Sequence, residues 1–266
     1  MGKRRVLTAR GPIRGTDTTR HVVPRRLRVG SHRFHYVEAG MGAPLLLIHG
    51  LGASSRWWFP ILPELSSAHF RLLAPDLPGF GRSPGPALNV EHAARSVVAL
   101  ADHLGLGQFF VCGHSMGGAI AAEIAANHPG RIRRLVLIDS AGIPGIGASR
   151  VLGRLVQPWS WCPGWFYRTL VGDVLRAGPK SMLRGIRELR RHDIRPTLNR
   201  VRSKTLIIWG ANDTLTPAAH SELMLSALPD GRLELVPGAR HLPMIRKPAL
   251  TGGLIASFCR EELKAR

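Results

Sequence analysis

The stretch Phe109-Phe110-Val111-Cys112-Gly113-His114-Ser115-Met116-Gly117-Gly118 decides how this chain is read. Four consecutive apolar residues predict a strand covered on both faces. The run Gly118-Ala119-Ile120-Ala121-Ala122-Glu123-Ile124-Ala125-Ala126 predicts a helix. Between them, the G-x-S-x-G pattern leaves room only for a sharp turn. Glycines at 113 and 117 permit that turn, and it lifts the Ser115 hydroxyl clear of its neighbours.

Outward from this turn, strand and helix patterns alternate. Leu45 to Ile48, Phe70 to Ala74, Leu135 to Ile138, Thr205 to Trp209 and Arg232 to Val236 are further strand candidates. Trp57 to Leu65, Val90 to Leu104, His220 to Leu228 and Pro248 to Leu263 carry helical patterns. Such alternation predicts an α/β fold with a mostly parallel central sheet and helices on both faces. Near the start, Arg26-Leu27-Arg28-Val29 and Arg33-Phe34-His35-Tyr36-Val37 flank Gly30-Ser31 as an antiparallel hairpin.

One long interval breaks the rhythm. After the sixth strand, residues 143–203 hold no strand pattern but carry Trp159, Trp161 and Trp165. Within it, Met182, Leu183, Ile186 and Leu189 share one helical face. An insertion of that length carries its own structure or covers a site, so it is read as a small helical cap. The expected organisation is a mobile basic arm at 1–20, a first core part at 21–142, the cap at 143–203 and a second core part at 204–266.

Composition narrows the class. The 266 residues include 37 Lys and Arg against 17 Asp and Glu, a net charge of +20. The excess concentrates in the first 33 residues and in 150–204. Such a field attracts anionic substrates or anionic membrane surfaces, so weak membrane association through arm and cap is expected. No motif for specific nucleic-acid binding is present, and the aromatics are not interleaved with the basic clusters. The three cysteines, Cys112, Cys162 and Cys259, are widely spaced and form no metal pattern, which fits a reducing cytoplasm. No apolar run approaches the ~18 residues that span a bilayer. The sequence is silent on oligomeric state.

Five segments, in this order, carry a family resemblance: Ile48-His49-Gly50-Leu51-Gly52, Asp76-Leu77-Pro78-Gly79-Phe80-Gly81-Arg82-Ser83, the Gly113 to Gly118 turn, Trp209-Gly210-Ala211-Asn212-Asp213, and Gly238-Ala239-Arg240-His241-Leu242-Pro243. The chain resembles the α/β-hydrolase superfamily, in its cap-bearing group of small esterases and lipases. The resemblance implies a nucleophile at Ser115, a base at His241 and an acid at Asp213, with Asp139 at the preceding strand end as the rival acid. A serine hydroxyl needs such a base, and the base needs an orienting acid. The resemblance also implies an oxyanion hole from the backbone N–H groups of Leu51 and Met116. His49, Trp57, Trp58, His114, Asp139, Trp159 and Trp165 are candidates for the substrate pocket. Trp57 and Trp58 are expected to split, one into the core and one toward the pocket.

The implied reaction is ester hydrolysis through an acyl-enzyme on a hydrophobic small-molecule or lipid-like substrate, without metal or organic cofactor. Carbon–carbon bond hydrolysis of ring-fission products and ligand binding without turnover are the alternatives. Relatives that cleave ring-fission products often have an aromatic after the catalytic His and Asn before the Ser; here these positions are Leu242 and His114. Dehalogenases and epoxide hydrolases use an Asp nucleophile, which Ser115 excludes.

Overall fold

A computed structural model describes residues 22–144 and 163–264. Eight strands form one sheet: β1 (Val23–Val29), β2 (His32–Ala39), β3 (Ala43–Ile48), β4 (Phe70–Pro75), β5 (Phe109–His114), β6 (Ile132–Ile138), β7 (Thr205–Gly210) and β8 (Gly231–Val236). Their spatial order is β1-β2-β4-β3-β5-β6-β7-β8. The β1–β2 hairpin is antiparallel and β2 joins β4 antiparallel, whereas β4 through β8 run parallel.

The continuous apolar runs follow from burial on both faces. Leu46, Ile48, Val111, Leu135 and Leu137 point into one core layer. Their chain neighbours Leu45, Leu47, Phe110, Cys112, Val136 and Ile138 point into the other. Successive side chains alternate across a strand, so a doubly covered strand has no polar position to spare. Helices α1 (Leu62–Ser67), α2 (Val90–His103) and α3 (Met116–Asn127) separate the early strands. The expected helix from Trp57 splits instead into a 3-10 turn, Ser55–Ile61, followed by α1, with Pro60 and Pro63 at the junction. Proline removes backbone donors and resists a continuous helical ladder.

After β6, the described part of the 143–203 interval is helical: α4 (Gly164–Arg191) and α5 (Arg195–Leu198). Helix α4 breaks at Gly178, which takes φ 68°, followed by Pro179. Met182 is buried, but Leu183, expected on the same apolar face, is 58% exposed. Gly185 fills its place: its lack of a side chain lets α4 press directly against Leu51. Helices α6 (Ala219–Ala227), α7 (Pro243–Arg246) and α8 (Pro248–Lys264) complete the chain. None of the described helices is long and apolar enough to cross a membrane.

Helix α4 is latched to the core by one buried acid. Asp173 is fully buried and accepts hydrogen bonds from Ser54 Oγ at 2.6 Å and Trp57 Nε1 at 3.0 Å. Arg56 pairs with it, and Arg176 approaches at 3.2 Å. A buried charge is tolerated only when paired and hydrogen-bonded in this way, and removing one partner strands the others. Asp173→Ala is therefore expected to lower the unfolding free energy by about 3 kcal/mol, measured by chemical denaturation. A change below about 1 kcal/mol, the range of an exposed ion pair, would show that the latch carries no weight.

Candidate active site

Strand β5 runs into α3 with Ser115 alone at the junction. Ser115 takes φ 53° and ψ −119°, a conformation rare for a residue with a side chain. A methyl group at Gly117 would strike the Ile48 carbonyl, and one at Gly113 would strike the carbonyl of Gly117. Ser115 N–H donates to Ile138 O at 3.0 Å, while its own carbonyl accepts from Ala141 at 3.0 Å and Gly118 at 2.9 Å. The turn is thus tied to β6 on one side and to its own helix on the other.

His241 lies on the loop after β8, and Asp213 on the loop after β7. His241 Nε2 stands 3.2 Å from Ser115 Oγ, and its Nδ1 stands 2.8 Å from Asp213 Oδ2. The carboxylate fixes the tautomer: Nδ1–H donates to Asp213, which leaves Nε2 to accept from the serine. Asp213 is further held by the N–H groups of Leu215 at 2.7 Å and Thr216 at 3.2 Å, and by the Thr216 hydroxyl at 2.5 Å. The Thr216 hydroxyl also lies 3.2 Å from His241 Nδ1. Thr216 was not singled out from sequence. Its signal was the Asp-x-x-Thr spacing, a turn in which the aspartate accepts from backbone N–H groups ahead of it.

Asp139 sits beside this arrangement without touching His241's ring nitrogens by hydrogen bond. It is fully buried at φ 39°, and its Oδ1 accepts from Gly210 N–H at 2.8 Å. Burial and the neighbouring Asp213 push its carboxyl well above the usual range. Burial also acts against ionised Asp213, but His241, Thr216 and Leu215 outweigh it and hold that carboxyl below its ordinary value. Two adjacent carboxyls are thereby driven apart, Asp139 upward and Asp213 downward. Among the described residues, donor atoms of His114, Asp139 and His241 come within 4.8 Å of one another. Both ring nitrogens of His241 are already engaged, by Asp213 and Ser115, and His114 Nε2 is engaged by the His241 carbonyl.

The remaining candidates distribute unevenly. Leu51 follows β3 and Met116 opens α3, where the first N–H groups of a helix lack intrahelical acceptors. A side chain at Gly50 would come 3.1 Å from Ser115 Cβ, so the His49-Gly50-Leu51 turn lies against the serine turn. His49 organises this loop: its Nε2 accepts from Leu77 N–H at 2.9 Å, and Nδ1–H donates to Gly50 O at 2.8 Å. Trp57 is buried, with its ring 6.1 Å from that of His114 and 5.3 Å from that of Phe166 on α4. Trp58 is fully buried, and both tryptophans belong to the same core layer. Trp165 is 66% exposed and meets Phe166 edge-on. Trp159 lies outside the described residues.

His114 supports His241 from behind. Its Nε2–H donates to the His241 carbonyl at 2.8 Å, and the rings stand 5.0 Å apart. Burial, then the charge of His241, depresses the His114 pKa from 6.5 to about 3. His114 is therefore neutral when folded but protonates when unfolded, once the pH falls below about 6.5. The unfolded state binds the extra proton, so this contribution to stability is full at neutral pH and is lost as the pH falls. Between pH 7 and pH 5 the loss should reach about 2 kcal/mol. His114→Gln keeps an N–H donor but does not titrate, and should lose correspondingly less over that interval. Equal losses in wild type and variant, from denaturation curves at both pH values, would contradict this role.

Comparison with known proteins accords with this layout. Residues 43–180 match the alpha/beta hydrolase fold family. The pimeloyl-[acyl-carrier protein] methyl ester esterase of Nitrosomonas europaea is 31% identical, over 80% of this chain and 94% of its own length. The 2-hydroxy-6-oxo-6-phenylhexa-2,4-dienoate hydrolase of Burkholderia cepacia is 26% identical, over 85% of this chain and 91% of its own. The crystal structure of a membrane phospholipase A, a bacterial virulence factor, superposes with a TM-score of 0.79 at 25% identity, covering 91% of this chain and 86% of that one. With its parallel sheet and the sharp serine turn between β5 and α3, this chain belongs to the alpha/beta hydrolase family and is an enzyme of the hydrolase class.

Proposed function

We propose that this hydrolase cleaves carboxylic esters, or closely related acyl bonds, through an acyl-enzyme on Ser115. The observation that carries the reading is the unbroken relay from Ser115 Oγ to His241 Nε2, and from His241 Nδ1 to the Asp213 carboxylate. His241 takes the serine proton as Oγ attacks the ester carbonyl. The tetrahedral oxyanion rests on the N–H groups of Leu51 and Met116, the latter at the positive end of α3. His241 then passes its proton to the leaving alcohol, and water repeats the sequence on the acyl-enzyme. No step of this sequence calls for a metal or organic cofactor.

The 143–203 interval serves in this reading as the cap that shapes the pocket. Val174 and Met182 of α4 pack over Gly52, and Phe166 packs against Trp57. These apolar contacts above the oxyanion turn support a hydrophobic small-molecule or lipid-like acyl substrate. A cytoplasmic location, with peripheral membrane contact through the basic arm and cap, remains part of the proposal.

The steady-state hydrolysis of nitrophenyl esters from acetate to palmitate tests the reading. Ser115→Ala and Asp213→Asn should each lower kcat/KM by about 10³-fold or more. Asp139→Asn should stay within about tenfold of wild type, because a neutral side chain replaces a carboxyl whose ionisation burial disfavours. Activity that survives Asp213→Asn and disappears in Asp139→Asn would reverse the two acids.

A further inference from the structure

The β1–β2 hairpin carries a like-charge pairing that its fold does not require. Arg28 lies directly opposite Arg33, and the next pair on the same face is Arg26 opposite His35. Directly opposed like charges on a strand pair are destabilising. The other face of the same hairpin is neutralised: Arg25 and Arg71 both reach Glu38, at 3.5 Å and 2.7 Å. On the first face, by contrast, Arg26 and Arg33 meet no carboxylate among the described residues. Among the described residues, Arg28 reaches only the carbonyl of Gly30, at 3.3 Å.

These side chains, with Arg82 from the loop after β4, line a cleft of about 430 Å³ whose lining contains no acidic residue. His35 is at its base, 5% exposed. Its backbone N–H donates to Ser83 Oγ at 2.8 Å, and its Nδ1 stands 3.0 Å from Asp76 Oδ2. Asp76 is fixed in turn by the N–H groups of Ser55 and Arg82. Burial works against that carboxylate, but His35, His49 and these N–H groups hold it at about 2, so it stays charged. His35 Nε2 is left buried with no hydrogen-bond partner among the described residues. The cleft thus combines guanidinium groups that no carboxylate among the described residues neutralises with a lining histidine that has an unused ring nitrogen.

The ligand that fits this lining is an anion with several acceptor oxygens for the arginines. Phosphate monoesters meet this condition, since at neutral pH they carry close to two negative charges on three terminal oxygens. We propose that this cleft binds a phosphate monoester group, at a site separate from Ser115, His241 and Asp213. The source is either a soluble phosphate ester or the headgroup of a phosphatidic-acid-type lipid.

Titration of the full chain with glycerol 3-phosphate, and with vesicles of phosphatidylcholine with or without phosphatidic acid, tests this at low salt. Arg28→Gln/Arg33→Gln should weaken binding by about tenfold or more. It should also raise the melting temperature of the unliganded protein, because it relieves the cross-strand repulsion. Arg202→Gln/Lys204→Gln removes the same charge at exposed positions before β7 and should leave binding intact. Saturable binding to the soluble ester identifies a soluble phosphate as sufficient; binding to phosphatidic-acid vesicles alone identifies the headgroup. Absence of saturable binding in both arms, or equal weakening by the two double variants, overturns the proposal. Ester turnover is read separately, so failure here leaves the acyl chemistry of Ser115 untouched.

Discussion

Everything in the site depends on one backbone constraint: a strand must become a helix within the single residue Ser115. The left-handed conformation at φ 53° is costly for any residue with a side chain. It persists because its surroundings over-determine it. The Ser115 amide is held by β6 and its carbonyl by Ala141 and Gly118. Gly117 passes so close to the end of β3 that no side chain fits, and Gly118 passes equally close to Ser140. The same closeness brings the N–H group after the serine and the turn after β3 to one place, so the Ser115 hydroxyl and the two turns around it are positioned by a single packing event.

Electrostatics then separate the roles of the buried groups. Asp213 has four donors around its carboxylate, from His241, Leu215 and Thr216, and so carries the charge. Asp139 has one backbone donor, and burial beside Asp213 pushes its carboxyl upward. His114 is kept neutral by burial, so it braces the His241 loop without adding a positive charge beside that ring. Across the top, the Asp173 latch holds α4 against the loop that carries Trp57, and Trp57 in turn touches His114. Helix α4 and His241 are thus joined by contiguous packing through Trp57 and His114.

The sheet was legible in the sequence because both faces of each central strand are buried, which leaves continuous apolar runs such as Leu45 to Ile48. Ser115, Asp213 and His241 were legible because each sits at a strand end, next to the glycines that turn the chain. What escaped were contacts made across long sequence separations. Asp173 reads as one acid in an arginine-rich helix, and only the fold brings Ser54, Arg56 and Trp57 to it. Leu183 matched the periodicity of an apolar face, but the close approach of Gly185 to Leu51 rotates it into solvent. The split at Pro60 and Pro63 was visible as residue types, yet the apolar spacing across it suggested one helix.

The central claim is that the chemistry passes through Ser115 Oγ. Acid-quenching the enzyme during turnover of an activated ester, followed by peptide mass mapping, addresses it directly. The account predicts an acyl adduct on the peptide that contains Gly113-His114-Ser115-Met116-Gly117, at Ser115. An adduct on a different residue, or its absence at Ser115 under conditions where a slow second step must accumulate it, would contradict the account.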